Sequence, residues 1–482
     1  MQVELSDSPR AAAERAEGLV QDALPFTLSF RAADYNPVSA LPPLQSYAFA
    51  AAHGSWLIIG GRLGQGLHKF NQTGQNFIED DSNTFLWVIN PRAGTVASYP
   101  LDPLPGPLKA ALSATDQQAW HDRANDRMFL IGGYGWKPDG SDMTTFDTLI
   151  SFNVADVMQA VISKAPADEM AALFEVGHDP RLAVTGGALF NLDGTFVLAF
   201  GQSFYGQYRA FSSIVQQYTD DIALFTLNPR DPLAILAYSS LTSGSTAAPY
   251  HRRDGNFIDD IDPATGRPRV VGLGGVFRPG IIGAYNDAVY IDAQGAMVDS
   301  TLAQRFNAYT CPVISVWDAA GQATYHTFFG GISGTYCFQT PQQHAVFEQV
   351  TKEGRNDGLP FVADISTLVH DSSGGYREWI HPNPTPGNLL IGASASFIPD
   401  DRLFASGVFT PNGHVRLDAL QPGTSLHIGW IFGGILALNP LPLVPSTGTT
   451  AVNSVYEVWL DHRAMAAIPA SEGKSAKPVF GS

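Results

Sequence analysis

The stretch Trp56-Leu57-Ile58-Ile59-Gly60-Gly61 is the first of six apolar, β-type runs that stop at glycine. The other five end at Gly132-Gly133, Gly201, Gly274-Gly275, Gly330-Gly331 and Gly433-Gly434. Repeats of this size, each carrying several short strands, are typical of propellers and solenoids. The pattern therefore predicts an all-β fold of six repeated units.

Each glycine stop is followed by a loop and then by a third strand-like run. These runs are residues 84–89, 148–154, 222–227, 288–291, 362–369 and 455–460. A first strand rich in small residues is predicted before the glycine-terminated strand, because several innermost strands would be crowded around one axis. These runs are residues 46–52, 112–115, 185–190 and 391–397. We therefore expect a six-bladed β-propeller, with a two-domain β-sandwich protein as the alternative.

The sixth unit has no evident outer strand after Leu460, but residues 26–30 show the alternation to supply one. A strand from the opposite terminus would close the ring and remove both sheet edges. We accordingly predict an N-terminal extension at residues 1–25 with a short helix over 8–23, a single propeller at residues 26–463, and a loose tail at 464–482.

Composition narrows the function classes. The chain has 28 basic and 45 acidic residues, a net charge of −17, and no Lys/Arg run that would attract a nucleic acid. It contains no stretch of eighteen apolar residues, so no membrane span is expected, and no cofactor motif. The first 25 residues lack the apolar core of a secretion signal, which predicts a cytoplasmic protein as written, or an exported one if a leader has been removed.

The strongest chemical signal is the tetrapeptide His251-Arg252-Arg253-Asp254. In a four-stranded meander the loops after the glycine stops and the loops between units open on the same face, where long loops commonly bind ligands. Two guanidiniums at that mouth would hold an anion by forked hydrogen bonds. Asp254 would orient them and His251 would carry protons. The alternative is a structural ion-pair network between units three and four.

Aromatic side chains cluster in the loops that follow the glycine stops. Tyr134, Trp136, Tyr205 and Tyr208 are suited to a sugar face or a protein partner. The alternative is that these rings pack on one another and make the long loops rigid.

The two cysteines, Cys311 and Cys337, are expected on the same face as a disulfide candidate, with a thiolate metal site involving His344 or His251 as the alternative. No other metal site is predicted. Four further histidines fall near predicted turns and are expected to be solvated: His53, His121, His178 and His414.

The Gly-Gly doublet at the end of the second strand resembles that of kelch-type β-propellers. Three runs, YHRRDGNFIDDI at 250–261, VGLGGVF at 271–277 and YHTFFGGISG at 325–334, are similar to a group of bacterial kelch-repeat proteins of the galactose-oxidase-like superfamily. The resemblance is best over residues 195–400; it implies the propeller and sets no reaction. The copper site of galactose oxidase, with its Tyr–Cys crosslink, has no assignable counterpart here, which argues against a copper radical oxidase.

The sequence thus favours a kelch-like propeller that binds a small polar ligand, anionic or sugar-like, in its axial funnel. If the protein is an enzyme, proton-transfer chemistry fits better than redox chemistry. The alternatives are a protein- or polysaccharide-interaction module that uses the aromatic rim, or a structural component of an assembly.

Overall fold

The structure is a computed structural model that describes residues 24–33, 40–68, 76–209, 212–228, 231–279, 283–334, 359–441 and 445–463, and the backbone of 336–340 and 343–347. The predicted helix over 8–23 and the tail at 464–482 lie outside the described residues. The described chain is dominated by antiparallel strands.

Six sheets follow one another along the chain, and we number them in that order. Sheet 1 consists of Ala48–Ala52, Ser55–Ile59, Phe85–Asn90 and Thr95–Pro100. Sheet 2 consists of Gln118–Asp122, Arg127–Ile131, Thr148–Asn153 and Glu175–His178. Sheet 3 consists of Ala188–Leu192, Thr195–Ala199, Asp221–Asn228 and Asp231–Thr242.

The second half of the chain repeats the arrangement. Sheet 4 consists of Asn256–Ile261, Pro268–Leu273, Ala288–Asp292 and Gly295–Asp299. Sheet 5 consists of Val313–Asp318, Ala323–Phe329, Ile365–Asp371 and Tyr376–Ile380, with Val415–Arg416 added in parallel to its first strand. Sheet 6 consists of Ser396–Pro399, Ser425–Phe432, Val455–His462 and the N-terminal strand Phe26–Ala32.

The N-terminal strand pairs with the last strand of the chain, as the alternation in residues 26–30 predicts. The two strands run antiparallel in continuous register from Phe26 opposite His462 to Ala32 opposite Tyr456. Phe26 is fully buried against sheets 5 and 6. The outer strand of sheet 6 therefore lies more than four hundred positions along the chain from the strand with which it pairs.

Apolar side chains fill the space between each pair of consecutive sheets. For example, Trp56 and Ile58 of sheet 1 share one core with Trp430 and Phe432 of sheet 6. Equivalent cores lie between sheets 1 and 2, 2 and 3, 3 and 4, 4 and 5, and 5 and 6. Both faces of these sheets are therefore covered, which explains why the second strands are continuous apolar runs rather than alternating ones.

The glycine stops have a geometric cause. Gly132 has φ +64°, and a Cβ on it would lie 2.0 Å from the carbonyl oxygen of Val184 in the next unit. A side chain is therefore excluded by both the left-handed backbone and the close approach. The following residue, Gly133, donates its N–H to the same Val184 oxygen at 2.9 Å.

The same backbone bond recurs at all six stops. The residues that donate it are Gly61, Gly133, Gly201, Gly275, Gly331 and Gly434, to the carbonyls of Ala114, Val184, Arg252, Ala308, Ile391 and Leu44 respectively. The last bond joins the sixth unit back to the first. In the third unit Phe200, at φ +64°, occupies the position of the first glycine, which accounts for the single glycine there.

A second set of hydrogen bonds connects the six units just before their first strands. Six residues, each shortly before a first strand, are hydrogen-bonded in sequence: Ser46, Asp116, Gly186, Asp254, Thr310 and Ser394. Five of the six links are backbone bonds of 2.8–3.1 Å, and Thr185 Oγ1 completes the sixth by donating to the Asp116 carbonyl at 3.3 Å. We call this set the axial ring.

Two inner strands were predicted wrongly in detail. The first strand of the second unit is Gln118–Asp122 and not 112–115, because Gly106–Leu112 forms a helix that buries Leu108 and Leu112. The first strand of the sixth unit is Ser396–Pro399 and not 391–397, because Leu390–Ala393 pairs in a separate small sheet. Two helices that the sequence analysis missed, Val154–Ser163 and Ala167–Ala172, lie between the third and fourth strands of sheet 2. The Asn153 side chain caps the first by accepting the N–H of Asp156. Among the described residues, none of the helices is long and apolar enough to cross a membrane.

Small sheets lie on the axial-ring side, and most of their strands belong to the loops after the glycine stops. The largest, which we call the loop sheet, joins Tyr134–Trp136, Met143–Thr145, Gln202–Tyr205 and Val215–Tyr218. A second joins Leu390–Ala393, Ile435–Ala437 and Thr449–Ala451. Loops from different units therefore support one another around the ring.

Candidate functional site

The axial ring lies at the end of a cavity of about 200 Å³. Polar groups of the ring line it: Ser46, Asp116, Asp254, Thr310 and Ser394, with Gln117 and Ser396 beside them. Tyr47 and Phe257 supply aromatic surface. These two residues also line a second cavity of about 440 Å³, which continues along the inner strands to Trp120, His121 and Asp259. The two cavities together form a channel surrounded by the first strands.

Two carboxyl groups dominate the ring end of this channel. Burial and the neighbouring charge of Asp254 raise the pKa of Asp116 to about 7. Burial also raises the pKa of Asp254, although the charge of Arg253 opposes that rise. Two carboxyls that share a low-dielectric site cannot both ionise freely, so the pair holds a proton near neutral pH.

Two arginines lie next to the ring, and the fold explains their position. In each unit the residue before the ring residue pairs with the residue after the glycine stop. Arg62 follows the first glycine doublet and pairs with Gln45, while Arg253 precedes Asp254 and pairs with Val276. Both arginines are buried, at 4% and 6% exposure.

The arginines offset the charge of the ring carboxylates. Arg253 Nη1 lies 3.4 Å from Asp254 Oδ2, and its Nε donates to the Tyr218 hydroxyl at 3.2 Å. Burial lowers the pKa of Arg62 to about 10, with Asp116 opposing the shift, so this guanidinium stays charged at neutral pH. It lies over the Phe77 ring at 4.0 Å. Burial and Arg62 together lower the pKa of His68, which is therefore neutral.

The four residues of the predicted HRRD site are separated by the fold. Arg252 is fully buried and donates to the carbonyls of Pro249 and Gly274 at 2.7 and 3.0 Å and to Asp287 Oδ1 at 2.7 Å. These contacts form a buried ion pair within unit four, not between units three and four, and Arg252 lines neither axial cavity. Its role in ligand binding stays a prediction. His251 stacks on Tyr218 and contacts Asp220 Oδ1 at 2.6 Å, and it does not line either axial cavity. Arg253 and Asp254 alone reach the ring.

The predicted aromatic residues serve different purposes. Tyr134 is buried and donates its hydroxyl to the Gly206 carbonyl at 2.6 Å, which ties two loops together. Tyr208 donates its N–H to the Tyr134 hydroxyl at 3.1 Å, and both rings line a small cavity of about 20 Å³ with Arg253, Asp116 and Asp254. That volume holds roughly one water molecule. Trp136 packs beside this cluster, whereas Tyr205 is 41% exposed on the loop sheet.

Cys311 is buried, and burial raises the pKa of its thiol to about 12. The side chains of Cys337 and His344 lie outside the described residues, so the disulfide stays a prediction. Of the four histidines expected in solvated turns, His53 and His178 are exposed, with side chains 55% and 60% accessible. The expectation is wrong for His121 and His414, whose side chains are 8% and 0% accessible.

Sequence reasoning missed Asp116 and Arg62. A signal for Asp116 was present, because it precedes the first strand of its unit by the same two positions as Asp254 precedes Asn256. Arg62 occupies the position after a glycine doublet, where the other units carry buried residues such as Tyr134, Val276 and Ile332. Aligning the six units on their glycine stops would have found both residues.

Comparisons with known proteins do not assign this chain to a family. No protein-family model matches the chain, and no curated protein does. A solved structure described as "Structure of YjhT" is similar over 88% of this chain and 96% of that chain, with a TM-score of 0.44 and 12% sequence identity.

Proposed function

We propose that this protein is a six-bladed kelch-type β-propeller, closed by its N-terminal strand, that binds a sugar-like ligand in the axial channel. Two features support the closed ring: the cores between all consecutive sheets, including 6 and 1, and the hydrogen bond from Gly434 to Leu44. The observation that carries the binding proposal is the pair of carboxyls, Asp116 and Asp254, at the end of a cavity lined otherwise by hydroxyls, amides and aromatic rings.

This lining suits a neutral polyhydroxylated ligand better than a simple anion. Carboxyl and amide oxygens accept hydrogen bonds from hydroxyl groups, and aromatic faces such as Phe257 pack against the C–H face of a sugar ring. An anion at the ring end of the channel would meet the carboxyls before it met a guanidinium, because Arg62 and Arg253 lie on the loop side of the ring and Arg123 lines only the wider cavity. We therefore favour the sugar-like ligand among the two classes that the sequence leaves open.

The same pair supplies a proton carrier. An acid with a pKa of about 7 is populated in both protonation states at neutral pH, which is the condition for efficient general acid–base catalysis. Asp116 would exchange a proton with a ligand hydroxyl, while the charge of Arg253 favours the ionised form of Asp254 beside it. Asp116 replaces His251 in this role, because His251 faces Asp220 outside the channel.

Calorimetric titration with a panel of neutral mono- and disaccharides tests the proposal, with uronic acids, phosphate and sulfate as anionic probes. We expect at least one neutral sugar to bind and Asp116→Asn to weaken it by about 10- to 100-fold, the range for one hydrogen bond to a charged group. Asp220→Asn, which alters an acid outside the channel, is the matched control and should bind normally. Binding of phosphate or sulfate alone, or equal sugar affinity in Asp116→Asn, would refute the sugar proposal.

A second candidate, an interaction module, has one specific observation in its favour. Tyr205 and Val215 face each other across two strands of the loop sheet and are 41% and 60% exposed. An exposed aromatic–β-branched pair on a rigid sheet is suited to contact a protein or polysaccharide. If this surface carries function, Tyr205→Ser with Val215→Ser abolishes retention on an immobilised polysaccharide and leaves small-sugar binding unchanged; unchanged retention contradicts it.

A further inference from the structure

A second polar cluster lies away from the axial ring, between sheets 4, 5 and 6. Asp260 belongs to the first strand of sheet 4, His326 to the second strand of sheet 5, and His414 to the segment between the first two strands of sheet 6. All three are buried, at 1%, 3% and 0% exposure. One ligand atom from each lies within 4.8 Å of the other two.

The distances place both imidazoles around one carboxylate oxygen. His326 Nε2 lies 3.1 Å from Asp260 Oδ1, and His414 Nε2 lies 3.9 Å from the same oxygen. Zinc with ligand bonds of about 2.0–2.1 Å requires tetrahedral ligand atoms to be roughly 3.3 Å apart. The His326–Asp260 distance is already close to that spacing, and His414 Nε2 would have to approach Asp260 Oδ1 by roughly 0.6 Å.

His414 is the observation that points to a missing partner. Its side chain is completely buried, and neither Nδ1 nor Nε2 has a hydrogen-bond partner among the described residues. Leaving a buried polar group unpaired costs free energy, so such groups are normally satisfied. The carbonyl and N–H of His414 both bond to Thr410, at 2.9 and 3.1 Å, which fixes the backbone that carries the ring.

The surroundings are those of a second coordination shell. Ser315 Oγ lies 2.9 Å from His326 Nδ1 and can accept its N–H when Nε2 carries a metal. Arg269 Nε donates to Asp260 Oδ2 at 2.6 Å, which orients the carboxylate and leaves Oδ1 toward the histidines. Asp262, whose Oδ2 lies 4.0 Å from Arg269 Nη1, offsets the positive charge of that arginine.

The cluster also has a route to solvent. Asp259, Ser315 and Gly413, which adjoin the cluster, line the larger axial cavity.

We propose that Asp260, His326 and His414 form a zinc-type divalent metal site that joins sheets 4, 5 and 6. Two imidazoles and one carboxylate are a common ligand set for zinc, and a water molecule would complete the tetrahedron. The metal would give His414 Nε2 its partner and would connect three segments that are distant in sequence. This site is independent of the proposed sugar-binding function.

Metal stripping and reconstitution test the site. Full-length protein is treated with a chelator, dialysed, and titrated with Zn²⁺ by calorimetry and with Co²⁺ by visible absorption. We expect one equivalent of Zn²⁺ per chain, visible Co²⁺ bands typical of a four-coordinate site, and a higher Tm with Zn²⁺ than in chelator. His414→Ala should weaken Zn²⁺ binding by at least about 100-fold, because it removes a direct ligand and no existing hydrogen bond of the ring.

His178→Ala is the matched control, since this exposed histidine contacts Asp147 on the surface, and it should bind Zn²⁺ like the unmodified protein. If His414→Ala does not fold, the Co²⁺ spectrum of the unmodified protein and the Zn²⁺ response of His326→Gln decide the question. The proposal is refuted if the stripped protein binds neither ion at a stoichiometric site, or if His414→Ala or His326→Gln binds Zn²⁺ as tightly as the unmodified protein.

Discussion

Replacing Arg252 by alanine tests whether this arginine is a structural residue. The guanidinium is fully buried and satisfies the carbonyls of Pro249 and Gly274 together with Asp287. Its charge also lies over the Tyr285 ring at 4.2 Å. Arg252→Ala removes all of these interactions and leaves the partners unsatisfied. The loss of one member of a buried ion pair destabilises a protein by about 3–5 kcal/mol. Because the Asp287 side chain is 24% accessible and water can reach it, we expect the lower end of that range.

This free energy converts into a measurable shift in Tm. An unfolding entropy of about 2.1 cal/mol/K per residue gives about 1 kcal/mol/K for a chain of this length, so about 3 kcal/mol corresponds to about 3 °C. Differential scanning calorimetry at pH 7 measures the shift. Arg252→Lys, which keeps the charge and loses the planar fork, should lose less than Arg252→Ala.

Arg267→Ala is the control, because Arg267 is exposed and its removal should change Tm by less than about 0.5 °C. If Arg252→Ala shifts Tm no more than Arg267→Ala does, the structural role is wrong. If the variant keeps its Tm but loses ligand binding, the original interpretation of Arg252 as an anchor is restored.

Four other substitutions test single features of the structure. Because burial and Asp254 raise the pKa of Asp116 to about 7, its ionisation destabilises the fold as pH rises from about 4 to 7. Asp116→Asn should therefore have a higher Tm than the unmodified protein at pH 8 and an equal one at pH 4; a difference independent of pH contradicts this. Gly132→Ala should cost several-fold more stability in calorimetry than Gly140→Ala, since both have left-handed φ but only Gly132 has a backbone oxygen where Cβ would lie. Equal losses would show that φ alone matters. Phe26→Ala should cost about 3–5 kcal/mol in urea unfolding, because this ring is fully buried in the core of sheets 5 and 6; a cost below about 1 kcal/mol argues against a fixed N-terminal strand. In a Cys337→Ser background, Cys311 should react with Ellman's reagent at pH 8 only after denaturation, since it is buried with a raised pKa, and rapid reaction in the folded state would contradict that.

Local sequence predicted the strands well, because burial on both faces of a strand leaves a direct mark on composition. The apolar runs before the glycine stops are the second strands. The runs at 148–154 and 455–460 correspond to the third strands Thr148–Asn153 and Val455–His462. The error at residues 112–115 has the opposite cause: the apolar residues Leu108 and Leu112 pack against the core of sheets 1 and 2 from a helix. Small apolar residues in a short window fit either element, and packing decides between them.

The site was predicted less well, because its members come from different units. Arg253 and Asp254 were identified because charged residues are unusual at the start of an inner strand. Adjacent residues point to opposite sides of an extended chain, and the sequence does not show which of them faces the axis. Arg252 and Arg253 are adjacent in the chain, yet one is enclosed by backbone carbonyls and the other lies beside the axial ring. Asp116 and Arg62 were missed because each is ordinary within its own stretch of chain and stands out only when the six units are aligned.

What the sequence determined by itself is the repeating unit: the strand order, the glycine stops and the N-terminal strand follow from side-chain patterns that act over a few residues. What only the tertiary structure decided is which polar groups meet. The packing of sheet against sheet brings Asp116 to Asp254 across 138 positions of chain. It also brings His326 and His414 to Asp260, across 66 and 154 positions. Such contacts leave no local pattern, because the burial that shifts their pKa values and removes their water exists only after the sheets have assembled.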